Sequence, residues 1–252
     1  MQIRNLLQSE LHLLHQYTLQ EGWDNEELHV QALFHAYSKD FFIAYKDEKL
    51  IGFIVAIKYT NNFGFISDFL VLKEFRSQSY GKKIFLFALK HLEGCQIALD
   101  TTSSNSSLFQ EHSFLSYYDV NLYIFVSGSV TLPKSPYSIV DFNKELSIKG
   151  QDKYMSQMLV NTSASYKAIQ TAKNISSFGF LFAYKDGYKI HIDSQDINEA
   201  LSLFFALIEQ LTRGTKIYMQ ITQLTPLLEA LAELLKMHLH SKQVRMYNKV
   251  LP

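Results

Sequence analysis

The chain has 252 residues, with 24 Lys+Arg against 24 Asp+Glu, 47% hydrophobic, 14% aromatic and 19% charged. That composition excludes a disordered chain, and the length suits one large domain or two small ones. A formal net charge of zero, with no Lys/Arg run, gives no general attraction to nucleic acid or to an anionic membrane.

Cys95 is the single cysteine, so no intrachain disulfide framework is expected and a reducing, cytoplasmic setting suits the chain. Its plain reading is a small apolar residue at the start of a strand. Met1 to Asn5 lacks the apolar core of a signal peptide, and no apolar run is long enough to span a membrane.

Gln2 to Leu7 reads as a short strand. Ser9 is placed to cap a helix to Gln20, with Leu11, Leu14 and Leu19 on one face. Gly22-Trp23-Asp24 stops it, and a second helix covers Glu26 to Tyr37. Phe41–Tyr45 and Leu50–Tyr59, joined by Lys46-Asp47-Glu48-Lys49, form a hairpin. After Asn61-Asn62 comes a strand ending at Leu72.

Arg76-Ser77-Gln78-Ser79-Tyr80-Gly81 then links that strand to an amphipathic helix over Lys82–Leu92. A polar turn with Gly between a strand and a helix start is a phosphate-binding arrangement. The first helical N–H groups have no intrahelical acceptor, and the helix dipole favours negative charge there. Gln96–Asp100 is the next strand, expected parallel to the one before the helix. A loop and short helix over Ser103–His112 and a strand over Tyr117–Val126 follow.

Ser127 to Pro136 has a linker's composition and holds two of the four prolines. The expected division is a first domain over 1–128, a linker over 129–136 and a second domain over 137–252. In the second half, strands are expected at Phe178–Tyr184 and Tyr188–Ile192 around a Lys185-Asp186-Gly187 turn. Asp196 caps a helix to about Leu211, Lys216–Ile221 is a strand, Thr225-Pro226 opens a helix to Met237, and His240–Val250 closes. Phe178–Lys189 reads as a repeat of Phe41–Lys58, and Ile217–Ile221 as a repeat of Ile97–Thr101. Asp193-Ser194-Gln195-Asp196 stands where the first half has its phosphate-type turn. Its two carboxylates would repel a phosphate, so no cofactor is expected there.

This order of elements, with Arg76-x-x-Ser79-x-Gly81 after Val71, resembles the GCN5-related N-acetyltransferase family. The family's loop is Gln/Arg-x-x-Gly-x-Gly/Ala, so Ser79 replaces its first Gly. Gly22-Trp23 and the closing Arg245-Met246-Tyr247 look like a bacterial subgroup with a second, truncated copy of the fold. The resemblance implies an α/β (α+β) architecture: a mixed, partly antiparallel sheet flanked by helices, followed by a smaller domain of the same type. It implies acetyl-CoA between the fourth and fifth strands, with its pyrophosphate on the amides of Ser77, Gln78, Ser79, Tyr80, Gly81 and Lys82. Arg76 belongs to that loop, the edge of Phe69, Leu70 and Val71 meets the pantetheine, and Asn105 stands where the family often touches the cofactor. The partner implied is a small-molecule amine, with no nucleic acid and no membrane; no oligomeric state follows.

The chemistry implied is attack of a neutral amine on a thioester, which needs a base, an oxyanion donor and a proton for the thiolate. Asp68, a carboxylate inside an apolar strand, is the candidate base, or else an edge carboxylate; alternation places it on the face opposite Phe69 and Val71. Asp100 is a second candidate, or a cap for the segment after it. The family's proton-donating Tyr falls at Phe109 and its Gly at Ser113. Phe109 cannot donate, so Tyr117, Tyr118 or a water substitutes, or the chain binds acyl-CoA without turning it over. Trp23 is either packing or a wall of an acceptor pocket. His238-x-His240 lacks further ligands at zinc spacing, and no metal site is expected.

Overall fold

The computed structural model describes residues 1–23, 27–128, 135–141, 165–170 and 175–249. These form two compact units, one over Met1–Tyr117 with the C-terminal residues from Val244, the other over Tyr118–Gln243 apart from a short internal stretch, Gln151–Met158, that lies outside the described residues.

The first unit opens with β1 (Gln2–Asn5), α1 (Leu11–Gln20) and α2 (Glu27–Tyr37). Then come β2 (Phe41–Lys46), β3 (Lys49–Lys58) and β4 (Phe63–Val71). α3 (Tyr80–His91), β5 (Gln96–Thr101) and α4 (Ser106–Gln110) complete it. β1 to β4 pair antiparallel in order, and β4 pairs parallel to β5, as a helical crossover requires. The sheet is covered on both faces, which explains why Phe41-Phe42-Ile43-Ala44 is apolar without alternation. Phe41 and Ile43 pack beneath α1 and α2, while Phe42 and Ala44 pack beneath α3. Ile84, Ala88 and Leu92, four residues apart, are fully buried and form the stripe that seats α3 on the sheet.

The second unit contains β6 (Leu115–Val126) from Tyr118 onward, β7 (Ile139–Asp141), β8 (Ser165–Gln170), β9 (Ile175–Tyr184) and β10 (Gly187–Asp193). α5 (Ile197–Ile208), β11 (Lys216–Thr222), α6 (Pro226–Leu234) and the first part of β12 (His238–Tyr247) follow. β7 to β10 pair antiparallel in order and β10 pairs parallel to β11 across α5. The pairing sense of β8-β9-β10-β11 is thus that of β2-β3-β4-β5. The hairpin β9–β10 corresponds to β3–β4, not to β2–β3 as the sequence comparison of Phe178–Lys189 with Phe41–Lys58 had it. The shift arises because β8 has no clear alternation and goes unread.

Two strands depart from the expected division. From Val120 on, β6 pairs antiparallel with β11, and Val244–Tyr247 of β12 pair with Thr101–Ala98 of β5. The strand after α4 therefore belongs to the second unit and the last strand residues to the first. Ser127, read as linker, is 4% exposed and is bonded on every side. Its N–H donates to Thr215 O at 2.8 Å, its Oγ–H donates to Thr212 O at 2.5 Å, and its Oγ accepts from Thr215 N–H at 3.0 Å. Linker positions 129–134 lie outside the described residues. Among the described residues no helix is long and apolar enough to cross a membrane.

Candidate active site

The site begins with an irregularity in β4. The β3–β4 register passes from Phe53↔Leu70 to Val55↔Ser67, which leaves Asp68 and Phe69 opposite Ile54 alone. Asp68 has φ 47°, a left-handed value inside a strand. Such a bulge bends the strand and shifts its alternation by one residue. Ile66 therefore shares the α3 face with Phe69 and Val71, while Leu70 and Leu72 pack under α1 and α2. The alternation from which Asp68 was expected to lie opposite Phe69 and Val71 is broken at this bulge. Gly52 lies beside the bulge. A Cβ there would stand 2.1 Å from Leu70 O, so only glycine lets the two strands approach so closely.

The bulge opens the sheet. β4 pairs with β5 only from Phe63↔Gln96 to Ile66↔Leu99, although β4 continues to Val71 and β5 to Thr101. Phe69, Leu70 and Val71 lie on the part of β4 beyond that pairing. Leu70 is 2% exposed and points into the α1/α2 core, so only its backbone is available at the opening.

The loop follows a short 3-10 turn, Lys73–Phe75. Ser77 and Ser79 both have left-handed φ, 60° and 61°. The value at Ser79 carries the expected cost of roughly 1 kcal/mol for a non-glycine residue. The first helical bond of α3 runs from Lys83 N–H to Ser79 O at 3.3 Å. Among the described residues, the N–H groups of Ser77, Gln78, Ser79, Tyr80, Gly81 and Lys82 donate to no protein acceptor. Successive N–H groups in alternating turn conformations make an anion-binding concavity, and the first turn of α3 holds no acidic residue to compete. An added Cβ on Gly81 would meet Val71 Cγ2 at 3.4 Å and Phe69 Cζ at 3.5 Å, so the loop lies directly against the open edge of β4.

Other candidates are placed less centrally. Asp100 is held by Arg245 opposite it in the register, with Arg245 Nη2–H donating to Asp100 Oδ2 at 2.9 Å and a second bond from Nε. The guanidinium also covers the Phe65 ring at 5.0 Å. Asp100 is thus a structural carboxylate. Asp68 Oδ2 accepts from Ser67 Oγ–H at 3.0 Å and is half-buried. Tyr117 packs edge-on against Tyr247 at 5.2 Å and its hydroxyl makes a long contact of 3.5 Å to Lys249 O. Tyr118 opens the second unit. Asn105 precedes α4, is exposed, and makes no side-chain bond to the helix end. Phe109 is 8% exposed, packed against Phe85 at 5.4 Å and Phe69 at 6.4 Å, and Ser113 adopts φ 66° where the family has glycine. Trp23 is 36% exposed and His240 Nε2 faces Lys185 Nζ at 3.2 Å.

Residues 2–112 match the Acetyltransferase (GNAT) family. This segment is a GNAT domain. It contains the bulge, the open edge of β4 and the whole loop. A putative acetyltransferase of Pyrococcus horikoshii has a similar fold at 13% identity and TM-score 0.77, covering 98% of this chain and 88% of that one. A tandem GNAT protein from the clavulanic acid biosynthesis pathway gives 8% identity and TM-score 0.70, covering 98% and 97%. A GCN5-related N-acetyltransferase of Anabaena variabilis gives 10% and 0.65, covering 98% and 72%. No curated protein matches the chain in sequence. Across nearly the whole chain the likeness to these structures is one of fold, and that fold is of the α/β type read from the sequence.

The sequence missed the side chains that hold the GNAT loop. Arg76 Nε–H donates to Val71 O at 2.8 Å and its Nη2 lies 2.8 Å from Glu21 Oε1. Gln78 Nε2–H donates to Glu74 O at 2.8 Å, and Lys46 Nζ donates to the Tyr80 hydroxyl at 2.9 Å. Arg76, expected as a cofactor residue, has its guanidinium on protein acceptors. Glu21 and Lys46 lie too far from the loop in sequence for any local pattern to reveal them.

Proposed function

We propose that the chain is an acetyl-CoA-dependent N-acetyltransferase acting on a primary amine of a small molecule, in the cytoplasm. The observation that carries this is the run of six N–H groups without protein acceptors beside the unpaired edge of β4. The fit to a pyrophosphate is good in kind: donors only, no carboxylate in the first turn of α3, and an exposed surface at Ser77, Gln78 and Ser79. Acetyl-CoA, when bound, supplies an acetyl group activated as a thioester. The amides of Ser77 to Lys82 hold its pyrophosphate, and the backbone of Phe69 to Val71 aligns the pantetheine arm. Asp68, at the bulge, accepts the proton of the incoming ammonium. The thiolate is a tolerable leaving group, so buried Phe109 need not end turnover, and Tyr117, Tyr118 or a water delivers that proton. In domain terms we assign the acetyltransferase part to the unit of Met1–Tyr117 with the residues from Val244, and the truncated second copy to the unit that starts at Tyr118; the division by chain order, 1–128, 129–136 and 137–252, differs from this by the two exchanged strands.

One observation favours a second reading, an acyl-CoA-binding module without turnover. Phe109 occupies the donor position inside an aromatic cluster, and the Tyr117 hydroxyl is directed to Lys249 O. The test is calorimetry with acetyl-CoA, CoA and ATP, followed by a screen of amines for CoA release. Binding of both CoA forms but not ATP, with turnover of an amine, is expected. Binding without turnover on any amine selects the module, and no CoA binding removes both readings.

A further inference from the structure

We propose that Arg76 is a positioning residue that couples the cofactor loop to the C-terminal end of α1 through Glu21. The inference rests on the reading of the loop as the cofactor site. Arg76 makes two contacts with one planar group. Nε–H donates to the carbonyl of Val71, the last residue of β4, at 2.8 Å, and Nη2 lies 2.8 Å from Glu21 Oε1. Lys73 Nζ stands 3.8 Å from the same carboxylate oxygen. Glu21 is itself the C-cap of α1, its N–H shared between the carbonyls of Tyr17 and Thr18 at 3.2 Å. Trp23 N–H then donates to Thr18 O at 2.9 Å. One guanidinium therefore joins the end of β4, the start of the loop and the end of α1.

A carboxylate beside an anion-binding loop weakens anion binding if charge alone matters. Glu21 has only 20% of its side chain exposed, and its contacts suit an anchor. It holds Arg76 in one geometry, and Arg76 fixes the entry to a loop with two left-handed serines. The two accounts predict opposite signs. On charge alone, Glu21→Gln removes a repelling group and frees Arg76 for the phosphates, so CoA binds more tightly. With Glu21 as anchor, the same change loosens the loop and CoA binds more weakly. Linkage makes the effect reciprocal, so cofactor binding also steadies the end of α1. Trp23, the single tryptophan, lies two residues beyond Glu21 and reports on that end.

The experiment is CoA binding followed in parallel by calorimetry and by the Trp23 emission maximum, in wild type, Glu21→Gln and Arg76→Lys. In wild type the emission shift should saturate with the calorimetric isotherm. Both variants should bind about 2- to 5-fold more weakly, as expected for a partly exposed ion pair, and lose most of the shift. Lysine keeps the charge but cannot hold both acceptors in a fork. Unchanged or tighter binding by Glu21→Gln, or a full emission shift in that variant, overturns the coupling. So does a wild type that binds CoA with no emission change. A wild type that binds no CoA by calorimetry overturns the loop reading itself.

Discussion

Three residues bear on the proposed site, and each for a different physical reason. Gly52 has no room for a side chain, since its Cβ would stand 2.1 Å from a backbone oxygen. Gly52→Ala should therefore force β3 and β4 apart at the bulge and cost about 1–3 kcal/mol, the usual range for overpacking, measurable by urea unfolding. Gly81 has space for a Cβ but not for a large ring in front of the loop amides. Gly81→Trp should abolish CoA binding while the circular dichroism spectrum is kept; unchanged affinity would sink the loop assignment. Asp68 is the proposed base. Asp68→Asn should lower the amine-transfer rate without weakening CoA binding, and a pH–rate profile identical to wild type would remove Asp68 from that role. The loop was legible because a polar run with Gly between apolar segments is a local signal. The bulge was not, because Ser67-Asp68-Phe69 looks like any strand until the partner strand sets its register. Arg76 was half-legible: its place in the motif is local, but its partner Glu21 is brought in by the packing of α1.

At the scale of elements, one helix cap read from the sequence is present and another is absent. Asp196 caps α5 as expected, its Oδ1 accepting from Asn198 N–H at 2.8 Å and Glu199 N–H at 3.0 Å. Asp196→Ala should cost about 1 kcal/mol of stability in thermal or urea unfolding. Ser9 does not cap the first helix. Glu10 instead accepts from Leu7 N–H at 3.0 Å and takes both arms of Arg4, at 2.6 and 2.8 Å. Chiefly through Arg4, the Glu10 carboxyl is lowered to about 2 from an ordinary 4.5. The folded state thus holds its proton less strongly than the unfolded chain. The stabilisation is fully present above pH about 4.5 and is lost as pH falls toward about 2. Urea unfolding across that window should show a stability slope that Glu10→Gln removes; an unchanged slope would mean other carboxylates govern acid unfolding. No helix or strand period links Arg4 to Glu10, which meet across the turn between β1 and α1.

For the whole molecule, ligand binding is the readable quantity. CoA at about 100 times its dissociation constant should stabilise the folded state by roughly 2.7 kcal/mol. For a chain of this size that raises the unfolding midpoint by about 5–11 °C, seen by differential scanning fluorimetry with CoA and not with ATP. The sequence by itself determined the element types apart from β7 and β8, the βαβ crossover around the loop and the repeat of that crossover in the second half. Each of these is written in periods of two or 3.6 residues and in turn chemistry, which act over a few residues. Tertiary structure alone decided the partners of strands that pair out of chain order. β6 follows α4 in the chain yet pairs with β11, and Val244–Tyr247 come last yet pair with β5. Strand pairing joins backbone groups that carry no side-chain label, so its register and partner are chosen by which faces must be buried together. The same cause hid the bulge at Asp68 and the Arg76–Glu21 link, since both arise from contacts between segments distant in the chain; the opening between β4 and β5 was expected only from the family resemblance.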